Sequence, residues 1–185
     1  MGLIQPKNFV NKNGEPCTIR TALPEDAEKV LRFNQTIISE APFLLTTEAE
    51  FKVSYERQKN FLKQIFDDNG KLAIIAEYQS DIIGILDFHN GHKKRIQHQG
   101  SFGMSVADKY RNQGVGKAML TLLLVWAKEN PLIEKVCLEV FAENTNAISL
   151  YAKVGFVEEG RKVKAIKVNE DIYYDLISMA YFTKK

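Results

Sequence analysis

The chain is poor in the residues that build metal sites and disulfides. Its two cysteines, Cys17 and Cys137, are far apart, with no CxxC or Cys/His spacing. Neither a disulfide framework nor a structural zinc site is encoded, and the cytoplasm is the expected location. The three histidines, His89, His92 and His98, have no cysteine or carboxylate set to complete a site, so they read as surface residues and no metal is expected. Long apolar runs are also missing. The longest, residues 122–127, falls far short of the ~20 residues that span a bilayer, so no membrane partner is expected. Charge of one sign is scarce too: 25 Lys+Arg against 23 Asp+Glu leave +2, which gives no reason to expect nucleic acid. No linker, repeat or low-complexity tract divides the chain, and residues 1–185 read as one domain with a core over about 9–182.

What is present is enough apolar residue, 45% of the chain, for a real core, arranged in strands mixed with helices. Asn13-Gly14 predicts an opening hairpin between Phe9-Val10 and Cys17–Ile19. Pro24, Glu25 and Asp26 suit a first helical turn, with a helix to about 39. A second helical pattern is expected from Pro42 to Phe66, then strands at 71–77 and 82–89 and a tight turn at Asn90-Gly91. A strand is expected over 96–106. Val115, Ala118, Met119, Leu122, Leu123 and Trp126 form a helical stripe that Asn130-Pro131 stops. A strand over 133–141 follows. Asn144 then caps a helix to about Lys153, Gly155 ends it, and a hairpin around Asn169 closes the chain. This order predicts an α/β (α+β) domain, a mixed, mostly antiparallel central sheet with helices on both faces. Cys137, between Val136 and Leu138, reads as core.

The most informative stretch is Ser105-Val-Ala-Asp-Lys-Tyr-Arg111-Asn-Gln-Gly114-Val-Gly116-Lys117, a strand that passes through a basic glycine turn into the helical stripe. Glycines let backbone N–H groups approach an anion, and a helix N-terminus adds partial positive charge. In isolation a turn that merely needs glycine looks the same. A P-loop requires glycine where Arg111 stands and Ser/Thr where Ala118 stands. A dinucleotide loop requires a small residue where Met119 stands. Charge is uneven along the chain: Lys93, Lys94, Arg95, Lys109, Arg111 and Lys117 face a single acid, Asp108, between residues 92 and 117. Residues 33–51 carry Glu40, Glu48 and Glu50 and no Lys or Arg. One region suits phosphates and the other a cationic amine, or both are solvated surfaces.

The Arg-x-x-Gly-x-Gly at 111–116 resembles the pyrophosphate loop of the GNAT superfamily of acyl-CoA-dependent N-acetyltransferases. Asn144-Thr-Asn-Ala147-Ile-Ser-Leu-Tyr151-Ala-Lys-Val-Gly155-Phe156 is similar to that superfamily's second signature. Thr18–Ala22 with Asp26-Ala27, and Tyr173-Tyr174-Asp175 with Met179, resemble the branch of ribosomal-protein N-terminal and small-amine acetyltransferases. The resemblance implies acetyl-CoA as cosubstrate and direct attack by an amine acceptor, without an acyl-enzyme. It implies that backbone groups of Met104, Ser105 and Val106 pair with the acetyl and pantetheine amides, with the Val106 N–H as oxyanion donor. Backbone N–H groups of Arg111, Asn112, Gln113, Gly114, Val115, Gly116 and Lys117 hold the pyrophosphate in this reading. Asn144 and Tyr151 flank the pantetheine arm, Tyr151 serves as general acid for the departing thiolate, and Lys153 reaches the nucleotide phosphates. Glu139, on the strand beside the cleft, is the carboxylate expected to act as base or to position water. The acceptor is a primary amine of a small molecule or a protein N-terminus, and a homodimer is possible. The alternative is a CoA-binding regulatory module of the same fold that performs no transfer.

Overall fold

A computed structural model describes residues 2–40 and 42–184. Met1, Ala41 and Lys185, which fall within the expected domain, lie outside the described residues. Strands β1 (Lys7–Val10), β2 (Pro16–Thr21), β3 (Lys71–Tyr78), β4 (Asp81–Asn90), β5 (Gln99–Val106), β6 (Lys135–Phe141), β7 (Val157–Lys167) and β8 (Tyr173–Phe182) form one sheet in the order β1-β2-β3-β4-β5-β6-β8-β7. Every neighbouring pair is antiparallel except β5–β6, which is parallel. The helices are α1 (Ala27–Glu40), α2 (Tyr55–Asp67), α3 (Val115–Glu129) and α4 (Thr145–Lys153). Helix α3 makes the crossover that a parallel pair requires.

Alternation along β3 sorts the core into two layers. Leu72, Ile74 and Ala76 join Met119, Leu123 and Trp126 of α3 on one face. Ala73 and Ile75 join Ala27, Val30, Leu62 and Ile65 of α1 and α2 on the other. Because β3 is covered on both faces, it reads as a continuous apolar run. The first helix is anchored by charge as well as packing. The Arg20 guanidinium bonds both oxygens of Asp26, at 2.7 and 2.8 Å, and both of Glu77, at 2.7 and 2.9 Å.

Three local expectations change. The second helix starts at Tyr55, because the Ser54 hydroxyl accepts the Arg57 N–H there. Residues 43–53 are irregular, with a turn closed by the Glu50 carboxylate on the Thr47 N–H and hydroxyl. Asn90-Gly91 does not form a two-residue turn: Gly91 N–H bonds Gln99 C=O, and the loop between them leaves Lys93, Lys94 and Arg95 in water. The following strand therefore starts at Gln99, and Ile96 is exposed. The opening hairpin, with Gly14 at φ 83°, the closing hairpin and the α3 and α4 boundaries follow the sequence reading.

Candidate active site

Strands β5 and β6 pair only over Gln99↔Lys135, Gly100↔Val136 and Ser101↔Cys137, whereas β5 continues along β4 to Val106 and β6 along β8 to Phe141. Beyond Ser101 and Cys137 the two strands therefore diverge, and the backbone of each facing edge is unpaired. Gly91 donates to Gln99 C=O and Ala107 donates to Ile83 C=O, so odd residues of β5 turn their peptide groups toward β4. By strand alternation Met104 and Val106 turn theirs into the gap. The Val106 carbonyl accepts Arg111 Nε at 3.0 Å, which leaves its N–H directed into the opening.

Past Val106 the chain makes a short 3₁₀ turn, Asp108–Tyr110, and enters α3 through Asn112 (φ 61°) and Gly114 (φ 94°), both left-handed. Arg111 N–H is engaged by Asp108 C=O, and its guanidinium bonds the Asp108 carboxylate and Val106. Among the described residues, the N–H groups of residues 112–117 donate to no protein acceptor, and the first helical bond is Ala118 N–H to Gly114 C=O. A side chain at Gly114 would meet nothing within 4 Å. Successive unengaged N–H groups at a helix N-terminus, in open space, fit a diphosphate. Of the residues expected to hold it, only Arg111 has its N–H already in use.

A cavity of about 960 Å³ occupies the divergence and is lined by residues of α1, α2, the 43–53 segment, β4, β5, β6, α4, β7 and β8, together with Asn144. Of the expected site residues it brings together Met104, Ser105, Glu139, Asn144 and Tyr151. Val106, the 111–117 loop and Lys153 stand outside its lining, and Lys153 is exposed at the end of α4. Asn144 caps α4, its side-chain oxygen accepting the Ala147 N–H at 3.2 Å. The helix ends in a Schellman motif, with Phe156 N–H on Tyr151 C=O, Gly155 N–H on Ala152 C=O, and Gly155 at φ 102°. That ending packs the Tyr151 ring against Phe156 and Phe102, at centroid distances of 5.8 and 5.9 Å. Burial pushes the Tyr151 hydroxyl up to about 12. No described residue hydrogen-bonds it, and it remains accessible. Glu139 is partly exposed and ion-paired to Lys162 of β7.

Residues that sequence reading passed over complete the cavity. Asp87 of β4 lines it, and its Oδ2 contacts His89 Nε2 at 2.8 Å. Gln58 and Arg57 of α2 and Asn34 of α1 line it from the helices. Cys137 corrects the core reading. It is half-buried and lines the cavity, because the odd residues of β6 turn away from the core that Val136, Leu138 and Val140 join, although Leu138 and Val140 also reach the lining through the gap. Burial raises its thiol above the usual range. The acidic segment is corrected too: Glu40, Glu48 and Glu50 are exposed and outside the lining, while Phe43, Leu44 and Phe51 of that segment form part of the wall. Among the described residues no group of three or more His, Cys, Asp or Glu is arranged to hold a metal, and no helix is long and apolar enough to cross a membrane.

Residues 37–156 match the model of the acetyltransferase (GNAT) family. An L-amino acid N-acetyltransferase of Escherichia coli is 29% identical over 115 residues, covering 60% of this chain and 71% of that protein. A GNAT-family acetyltransferase from Streptococcus pneumoniae superposes with a TM-score of 0.87 at 25% identity, over 90% of this chain and 99% of that one. An acetyltransferase from Salmonella typhimurium, solved with acetyl-CoA, superposes with a TM-score of 0.79 at 15% identity, over 91% of this chain and 95% of that one. More distant relatives include ribosomal and spermidine N-acetyltransferases. The family match covers both glycine-bearing signatures and both diverging strands, and the chain belongs to the GNAT family of N-acetyltransferases, enzymes that use acetyl-CoA.

Proposed function

We propose that the protein transfers the acetyl group of acetyl-CoA directly to a primary amine of a small molecule or a protein N-terminus, through a ternary complex. The carrying observation is the gap between β5 and β6, with the Val106 N–H directed into it and a run of unengaged N–H groups one turn further on. In this reading residues 112–117 hold the pyrophosphate through their N–H groups, with Arg111 bracing the loop. The Met104 backbone pairs with the amides of the pantetheine arm, whereas the Ser105 peptide is turned toward β4 and leaves only its side chain for the cavity. Asn144 flanks the arm, and Lys153 reaches the nucleotide phosphates.

The neutral amine attacks the thioester carbonyl, and the carbonyl oxygen gains charge that the Val106 N–H stabilises. The C–S bond breaks, the thiolate takes the Tyr151 proton, and Glu139 removes the proton released by the amine, directly or through water. Burial keeps the Tyr151 hydroxyl protonated, so its proton is in place when the C–S bond breaks. Because a thiol ionises lower, at about 8.5, the transfer is completed by return of the Glu139 proton to Tyr151 through solvent. The products are the acetamide and CoA thiol. Release of CoA thiol should require both acetyl-CoA and an amine. CoA binding with no acetylation across a broad amine panel would replace this reading with that of a regulatory module.

A further inference from the structure

The charges and amides lining the cavity leave a specific set without partners. Three carboxylates line it, and two are matched by a lysine: Glu139 by Lys162, and Glu159 by Lys135 at 2.7 Å. The third, Asp87, has only His89 beside it, which carries charge only when protonated. Asp87 stands directly opposite Gly103 in the β4–β5 ladder. A Cβ there would find only Asp87 Oδ1, at 3.9 Å, so the strand surface beside that oxygen is open. Two cations line the cavity, Lys135 and Arg57, and Arg57 pairs with no carboxylate among the described residues. Asp87 and the exposed Arg57 therefore carry the one negative and one positive charge of the lining that have no permanently charged partner among the described residues.

The wall beside Arg57 strengthens the pattern. Gln58 is 6% exposed and lines the cavity, yet among the described residues its side-chain amide has no protein partner and is not sealed from solvent. Asn34 of α1 adds a second amide with no partner among the described residues. A buried amide without a partner is costly, and a ligand that hydrogen-bonds it removes the cost. A polyamine would gain little here, since most of the lining acid is already paired. Phe51 and Phe61 add apolar surface to the same lining, Phe61 against the His89 ring beside Asp87.

Resting on the acetyltransferase reading above, we infer that the acceptor is an amino acid zwitterion with an apolar side chain. Its ammonium docks beside Asp87 over Gly103 and loses one proton to solvent before the neutral nitrogen attacks, and its carboxylate is held by Arg57, Gln58 and Asn34. A guanidinium and two amide N–H donors are a carboxylate-recognition set. The Asp87 side of the cavity adjoins the divergence, where the thioester enters in that reading.

The test pairs turnover with binding. CoA thiol release is measured with apolar α-, β- and γ-amino acids, their carboxamides, a polyamine, and a short peptide with a free N-terminus. Free acids should exceed their carboxamides by about tenfold or more in kcat/KM, mostly through KM. In Arg57→Met and Gln58→Leu that preference should shrink to about threefold or less. Carboxamides, polyamine or peptide used as well as the acids, or a preference unchanged in both variants, would overturn the inference. Calorimetric titration of the same compounds into the CoA-bound protein reads acceptor choice without turnover. If no amine releases thiol, the acetyltransferase reading fails, and tighter binding of acids than of carboxamides still supports the site while equal or absent binding overturns it. Gln58→Leu should also melt no lower than the parent; a lower melting temperature would assign Gln58 to the fold instead.

Discussion

Arg111 holds Val106 by its carbonyl, Nε to O at 3.0 Å, while its terminal nitrogen bonds the Asp108 carboxylate at 2.9 Å. One side chain thus ties the last residue of β5 to the turn that follows, and so braces the peptide next to the one whose N–H enters the gap. Arg111→Met should lower kcat/KM for acetyl-CoA about tenfold, or roughly 1.4 kcal/mol of transition-state stabilisation. The pair is partly exposed, so urea unfolding should change by less than about 1 kcal/mol.

Tyr151 is held above its ordinary range by burial, at about 12. Between pH 7 and 10 its hydroxyl stays protonated, so it should give no alkaline limb to kcat in that range. Tyr151→Phe should lower kcat about 10- to 100-fold, with KM for acetyl-CoA within about threefold. An unchanged kcat would remove the acid role. The same shift makes stability depend on pH. The unfolded tyrosine ionises near 10, so folding loses on the order of 3 kcal/mol from this group as pH rises from 10 to 12. Chemical unfolding of the parent and Tyr151→Phe across that range measures the difference.

Gly114 has φ 94° and faces open space. Gly114→Ala should therefore cost only about 1 kcal/mol of stability, from the backbone conformation alone. A methyl there stands where the pyrophosphate approaches in the proposed reading, so KM for acetyl-CoA should rise by about tenfold or more. Calorimetry with CoA and urea unfolding separate the two effects.

Burial would raise the Asp26 carboxyl, but hydrogen bonds from Arg20 and Leu23 N–H outweigh it and hold the group below the usual carboxylate range. A depressed folded-state pKa gives stability that is present at neutral pH and lost as pH falls below the ordinary value near 3.8 toward the folded one. Asp26→Asn should cost about 2 kcal/mol at pH 7, since it leaves Arg20 with only Glu77. The gap between parent and variant in urea unfolding should narrow toward pH 2 to 3. A constant gap would show that the charge does not carry the effect.

The sequence by itself determined the elements whose signals are local. Asn144 caps α4 with its own side chain, Gly155 takes the positive φ that ends it, and Gly14 and Gly114 mark turns that other residues enter only under strain. The α3 stripe is a periodicity that needs no knowledge of its neighbours. These features placed the glycine loop and Tyr151 on the correct elements and carried the family resemblance.

Only the tertiary structure decided the acceptor side. Val136-Cys137-Leu138 reads as an apolar run, and nothing local says that Cys137 and Glu139 turn to a cavity while Val136 is sealed in the core. Residues 43–53 look helical by composition, but their rings become a cavity wall. Asp87 and Gln58 lie in an ordinary strand and an ordinary helix. They share a cavity because β5 and β6 part above Ser101 and Cys137, a divergence created by pairing partners far away in the chain. Hydrogen-bond registry between distant strands, rather than any local preference, sets where that opening lies and which side chains surround it.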